Sequence, residues 1–331
     1  MMIPEEKQPA VARALQAAFG VKAYEDIRPL SGGLSSANAY KIVVKNNPYL
    51  LKIMRTQVIS DPMHEFACQK TAAEAGIAPR IWYASAEDRL LISDFVDAKP
   101  LPQDMLPLIV PTLRTLHSLP NFSKVVNYFE AIDGFIRRFQ AAQVLPESAT
   151  EELFRRYAEV QKAYPRHAPA DLVASHNDLK PQNMLFDGER IWLVDWESAF
   201  LNDRYVDLSV VANFFVKDEA QEEDYLGAYF GEPAGAYRRA RFTLARQAVS
   251  MFYATLLLLE AARAGLTISA EMTLPDFRDF HQDLISGKVD MTTAEAKAQY
   301  GMIHLQAALK AMRKARFEEA VLRVSEFHDQ P

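Results

Sequence analysis

A chain of 331 residues with 49% hydrophobic and 24% charged content can bury a large core and is expected to divide into two lobes. Its formal net charge of -6 and sequence pI near 5.7 argue against a nucleic acid or an anionic membrane as partner, since both want a basic face, and suit a small cationic substrate. The single cysteine, Cys68, excludes an intrachain disulfide and a cysteine-based zinc cluster. With Pro4, Glu5, Glu6 and Pro9 standing where an export signal would be basic and then apolar, a cytoplasmic location is expected.

Taken in chain order, Val11, Leu15 and Ala18 fall at helical spacing over residues 9–19, and Gly20 is a good stop, so a short opening helix is expected. Residues 27–30 and 39–44 read as strands on either side of the small-residue run 31–38, and residues 45–48 as the next turn. Glycines let backbone N–H groups come close to an anion, and serine hydroxyls add donors. Ser31, Gly32, Gly33 and Ser35 are therefore candidate phosphate contacts, with an ordinary hairpin turn as the alternative for the same residue types.

Residues 49–54 form a strand with one cation, Lys52, in an apolar run. Such a lysine either snorkels to water or meets an anion inside a cleft. Asp61-Pro62 reads as an N-cap with proline at the first helical position, opening a helix that ends before Gly76. Glu65 in its first turns is the candidate partner for Lys52, or else a solvated helix-face charge. Residues 77–84 and 89–95 give two more strands and complete a mostly antiparallel sheet. A Pro-rich connection with Pro100, Pro102, Pro107 and Pro111 then marks a hinge. From residue 108 onward helices dominate, at 127–143, 150–164, 205–216, 220–230, 234–264, 274–286 and 293–324. His117 is read as a structural histidine, and the apolar run 252–259 as buried and too short to span a bilayer.

The most informative stretch is 173–209. Asp178 sits in a loop after an apolar segment, Asn183 follows five residues later, and Asp195 ends the next apolar run, 191–194. One potential base and two hard oxygen ligands set around a hairpin suit Mg²⁺ on substrate phosphates and an attacking hydroxyl, so the pattern points to phosphoryl transfer.

The block 176–185, then 193–197 and 203–208, resembles the choline kinase-like branch of the aminoglycoside phosphotransferase and choline/ethanolamine kinase superfamily. The likeness extends to the small-residue loop, Lys52, Glu65, residues 76–79 and Leu116-His117, and fades in the C-terminal helices. It implies an α+β, protein-kinase-like bilobal fold, with residues 1–95 as an antiparallel N-lobe carrying one helix and 96–331 as a mostly helical C-lobe. By the same resemblance, Asp178 orients or accepts the proton of a substrate hydroxyl and His176 braces the loop. Asn183 and Asp195 hold Mg²⁺ on ATP. Lys52 contacts the α- and β-phosphates and is fixed by Glu65, the backbone at Asp94 and Val96 meets the adenine edge, and Asp207 caps the loop.

The departures carry information. Trp196-Glu197 stands after Asp195 where a protein kinase has Phe-Gly, and no Ala-Pro-Glu segment follows, which argues against a protein substrate. Run 31–38 also lacks Gly-x-Gly-x-x-Gly spacing. A quaternary ammonium has no hydrogen-bond donor and needs aromatic faces and nearby negative charge. Glu197 is the one candidate substrate residue, among aromatics (Trp196, Phe214, Phe215, Tyr225, Tyr229, Phe252, Tyr253) more often found in cores. The expected function is ATP-dependent phosphorylation of choline, ethanolamine or a similar amino alcohol. The alternatives are another hydroxyl acceptor (aminoglycoside, thiamine, sugar, homoserine) and a non-catalytic nucleotide-binding protein.

Overall fold

The structure, a computed structural model, describes residues 3–30, 37–54, 61–166 and 168–328. The candidate phosphate contacts Ser31, Gly32, Gly33 and Ser35 lie outside the described residues. The elements of the first part are α1 (Gln8–Phe19), β1 (Asp26–Pro29), β2 (Ala37–Val44), β3 (Asn47–Met54), α2 (Pro62–Glu74), β4 (Ile81–Ser85), β5 (Leu90–Asp94) and α3 (Leu106–Leu116). There follow α4 (Tyr128–Ala141), α5 (Glu147–Ala163), β6 (Leu172–Ser175), β7 (Met184–Phe186), β8 (Ile191–Leu193) and β9 (Phe200–Asp203). The C-terminal helices are α6 (Arg204–Phe215), α7 (Glu219–Phe230), α8 (Ala236–Arg263), α9 (Phe277–Ile285), α10 (Ala294–Met312) and α11 (Ala315–His328). An antiparallel sheet with its helices, followed by a mostly helical second half, is an α+β, kinase-like bilobal fold.

The sheet order is β1-β2-β3-β5-β4, and its strand pairs are antiparallel. One face packs on α1: Ala14 and Leu15 meet a core that includes Ile42, Leu51, Ile53, Leu90 and Ile92. Because side chains alternate along a strand, Lys52, between Leu51 and Ile53, points from the opposite face. Gly20 ends α1 at φ 73, the left-handed turn glycine adopts without strain. Asp61 caps α2 by accepting from the N–H groups of Met63 and His64.

By contact density the chain forms two units, Met1–Lys124 with Ala174–Leu201, and Val125–Val173 with Asn202–Pro331. The first unit therefore runs beyond the expected boundary after residue 95 and takes in the 174–201 block. Local bonds show why: Leu193 N–H donates to the Ile77 carbonyl at 2.8 Å, and His64 Nε2 lies 2.7 Å from the Ala199 carbonyl.

Three sequence expectations are corrected. Pro107 and Pro111 belong to α3, not to the connection before it. Pro107 falls in the first turn, where no N–H is needed, and Pro111 costs one bond in a helix held by buried Ile109, Val110, Leu113 and Leu116. The expected helix over 293–324 is two helices, because the chain turns at Arg313-Lys314 to bury Phe317 and Val324. Residues 77–80 are not strand, and β9 was not expected.

In the second unit α8 is the central helix, packed by α4, α6, α10 and α11. Among the described residues it alone is long and apolar enough to cross a membrane, at mean hydropathy 1.4 over 18 residues, yet 72% of that window is buried within the protein. Gly301 of α10 lets the two helices approach. A Cβ there would lie 2.7 Å from Leu258 Cγ and 3.2 Å from the Ala254 carbonyl. Arg241 of α8 is 1% exposed and binds the carboxylates of Asp171 and, at 2.6 Å, Asp203; the Tyr164 hydroxyl also donates to Asp203, at 2.9 Å. Breaking such a buried network by removing one partner is costly, because it leaves a charge uncompensated.

Two histidines of this unit are held neutral. Burial lowers the pKa of His281 to about 4, and burial, followed by the proximity of His281, takes that of fully buried His304 well below its ordinary value. His281 lies 2.6 Å from the Tyr300 hydroxyl, whereas neither ring nitrogen of His304 has a hydrogen-bond partner among the described residues. The unfolded chain binds these protons below pH about 6.5, while the folded one does not until about pH 4 at His281. Stability is thus expected to fall as pH drops through that window, by up to about 1.4 kcal/mol per unit for each histidine. Thermal unfolding between pH 7 and 4.5 checks this, and a flat midpoint would show that the two rings are not buried as neutral groups.

Candidate active site

The strand lysine finds its anions. Lys52 Nζ lies 2.9 Å from Glu65 Oε1 and 3.0 Å from Asp195 Oδ1, and the Glu65 side chain is only 3% exposed. Burial opposes the lysine charge, but Asp195 and Glu65 outweigh it, so the pKa of Lys52 rises well above its usual value. Burial also acts against the Asp195 carboxylate, where Lys52 wins and the pKa is lowered. At Glu65 burial wins over Lys52 and the pKa is raised. Helix α2 is fixed to the segment after Asp195 by the His64–Ala199 bond, so Glu65 and Asp195 reach Lys52 from two tethered elements.

The loop after β6 supplies the second group of residues. Asp178 is not the free carboxylate that its loop position suggests: Lys180 Nζ is 2.5 Å from its Oδ2, and Asn183 Nδ2 donates to the same oxygen at 2.9 Å and to the Asp178 carbonyl at 2.8 Å. His176 is fully buried. Its Nε2 donates to the Val194 carbonyl at 3.0 Å, which fixes the tautomer, and its ring lies 4.9 Å from that of Trp196. Val194 N–H donates to the Asn183 carbonyl at 3.0 Å, which brings Asn183 beside the residue that precedes Asp195. Asp195 itself adopts φ 67 and ψ 67, and Asn177 φ 65. Non-glycine residues in the left-handed region concentrate at functional sites, because the surrounding structure must hold them there.

Asp178, Lys180, Asn183, Asp195, Lys52 and Glu65 all belong to the first unit. Glu197 stands exposed two residues beyond Asp195; the protein around its carboxylate, then the Asp195 charge, raises its pKa. Asp207 is fully buried in the first turn of α6, in the second unit. At the hinge the Asp94 N–H already donates to the Arg80 carbonyl, and Asp94 Oδ1 accepts from Trp82 Nε1 at 2.6 Å. Val96 makes no backbone hydrogen bond among the described residues.

Two residues were missed in sequence: Lys180, which looks like an ordinary loop lysine, and His64, hidden on α2. Trp196 is excluded as an aromatic wall for a ligand, since it is fully buried between Phe122 and His176. Phe214 and Tyr253 instead join one ring cluster with Phe277, His281, Tyr300 and His304.

Among the described residues no three His, Cys, Asp or Glu side chains are grouped to hold a metal. An all-protein cage is thereby excluded there. A carboxylate and an amide oxygen fit Mg²⁺ that takes its remaining ligands from substrate phosphates and water.

A helix-anchored strand lysine, an Asp-Asn loop and a hairpin aspartate on an antiparallel sheet define the kinase-like phosphotransferases as a class. The chain belongs to the phosphotransferase enzyme family APH, whose model matches residues 26–243. Protein LicA of Haemophilus influenzae is 27% identical over 154 residues, which are 44% of this chain and 54% of that protein, so the chain spans about half the length of this curated relative. A choline/ethanolamine kinase family protein from Mesorhizobium loti has the same fold at TM-score 0.70 and 19% identity, over 97% of this chain and 99% of that one. Choline kinase LicA from Streptococcus pneumoniae matches at TM-score 0.59 and 17% identity, over 86% and 99%.

Proposed function

We propose that the chain is an ATP-dependent kinase that transfers the γ-phosphoryl group of ATP to the hydroxyl of a small amino alcohol of the choline or ethanolamine kind. The observation that carries the proposal is Lys52 held between Glu65 and Asp195, in the same unit as the Asp178–Asn183 pair. Lys52 would meet the α- and β-phosphates once ATP draws it from Asp195. Asp178 would receive or orient the substrate hydroxyl, and Lys180, 2.5 Å from Asp178 Oδ2, would hold that carboxylate in place and face the phosphoryl group in transit. His176 would brace the loop through Val194. Mg²⁺, held by Asn183 and Asp195, would neutralise charge on the phosphates. Phosphoryl transfer asks little more of a protein than positioning and charge neutralisation. The cytoplasm is the compartment proposed, since it supplies ATP and keeps Cys68 reduced.

The choice of acceptor is supported by the names of the similar kinases, by the net charge of -6 and by Glu197 next to the hairpin aspartate. Coupled ADP-release assays on choline, ethanolamine, an aminoglycoside, thiamine, homoserine and a hexose test it. Turnover is expected with choline or ethanolamine. Turnover with another acceptor alone would move the substrate class, and ATP·Mg²⁺ binding with no turnover on any of them would leave a non-catalytic nucleotide-binding protein.

A further inference from the structure

A polar cavity of about 370 Å³ lies wholly within the second unit, where α7, α9 and α11 all begin. Its lining is crowded with cations: Lys217, Arg246, Arg278, Lys314 and Arg316. Four acids line it too, and each is already engaged. Asp218 and Asp276 cap α7 and α9, accepting from the N–H groups of Gln221 and Arg278. Glu222 binds both Arg246, at 3.1 Å, and Arg316, and Glu219 lies 3.7 Å from Arg316. Lys217, Arg278 and Lys314 are left with no carboxylate in ion-pair range among the described residues.

Other features add to the surplus of donors. Asn213 Nδ2, on the cavity wall, is buried with no acceptor among the described residues, while Asn213 Oδ1 takes Arg246 Nε at 3.1 Å. The pKa of Arg246 is lowered, first by burial, with the Arg316 charge adding to it, as expected of two guanidinium groups sharing one carboxylate. Three helix N-termini carry partial positive charge toward the same place. At 100° per residue, Thr243, Arg246 and Ser250 also lie on the face of α8 opposite Arg241 and Phe252, so the cavity is separate from the Asp171–Asp203 network.

We propose that this cavity binds a small organic dianion, a phosphate monoester or a dicarboxylate, held by Lys217, Arg278 and Lys314, the lining cations that Glu219 and Glu222 leave without a carboxylate. The volume suits a compact metabolite. The chemistry is capture of an oxyanion by the Arg278 guanidinium fork, with the two lysines and the Asn213 amide N–H completing the shell. The proposal does not depend on the kinase assignment.

Titration calorimetry of the full chain with inorganic phosphate and with malonate tests it, using wild type, Arg278→Glu/Lys314→Glu and Lys180→Gln. Both rim residues are exposed, so the double variant should unfold at the wild-type temperature without ligand. Wild type and Lys180→Gln are expected to bind alike, with affinity at least tenfold weaker in the double variant. Phosphate binding marks a phosphate ester as the natural ligand, and binding of malonate alone marks a dicarboxylate. No binding of either probe would overturn the proposal, as would a loss confined to Lys180→Gln, which would put the anion at the Asp178 loop.

Discussion

Asp178→Asn is expected to lower kcat by about 10²–10⁴-fold, the range for removing a positioned base, while the Kd for ATP·Mg²⁺ moves by no more than about threefold. The expectation follows from separate duties within one loop. Asp178 Oδ2 is held by Lys180 and Asn183, whereas the proposed metal oxygens belong to Asn183 and Asp195. Asparagine keeps the shape but can no longer accept a proton. Steady-state kinetics paired with equilibrium nucleotide binding separate the two effects. A collapse of nucleotide affinity in this variant would move Asp178 from the hydroxyl to the metal.

Lys52→Met should act on nucleotide affinity and on stability together. It removes the cation between two carboxylates, 3% and 14% exposed, and leaving a buried charge uncompensated costs about 3–5 kcal/mol. The loss should depend on pH with a definite sign. Glu65 already has a raised pKa, and without Lys52 it rises further. A carboxyl whose folded pKa exceeds its unfolded value, near ~4.3, contributes stability at low pH that is lost as pH climbs through the folded value. The variant's deficit relative to wild type should therefore shrink as pH is lowered from neutrality toward the carboxylate range. Urea midpoints at several pH values measure it. A deficit independent of pH would mean that Glu65 is not ionised against Lys52 in the folded protein.

Much of this was legible in the chain because certain residue types need partners. A lysine inside an apolar strand, with Asp-Pro-x-x-Glu downstream, leaves few arrangements open, and Lys52 does pair with Glu65. Asp178, Asn183 and Asp195 stood out by order and spacing, and β7 and β8 put the last two on one hairpin, as their apolar run suggested. What stayed hidden depended on tertiary packing. Water is the usual partner of a loop lysine, so only the fold reveals that Lys180 turns to Asp178. The break between α10 and α11 falls at Arg313-Lys314, two good helix formers with no Gly or Pro nearby, and is decided by the burial of Phe317. Strand β9 includes Asn202 and Asp203, which weaken any strand pattern. Trp196 looks like a ligand wall in sequence because it adjoins Asp195, yet it is a core residue.

The Arg241 network also bears on the order in which the protein can be assembled during synthesis. Arg241 lies 70 residues after Asp171 and 38 after Asp203, so both carboxylates leave the ribosome well before it, and Asp171 meanwhile has Arg204, 3.3 Å away in the folded protein. Until α8 emerges, Asp203 lacks the guanidinium group that neutralises it in the fold. A nascent chain cut short of residue 241 should show β6 and β9 protease-sensitive, because it lacks both Arg241 and the helices α8, α10 and α11 that pack the second unit.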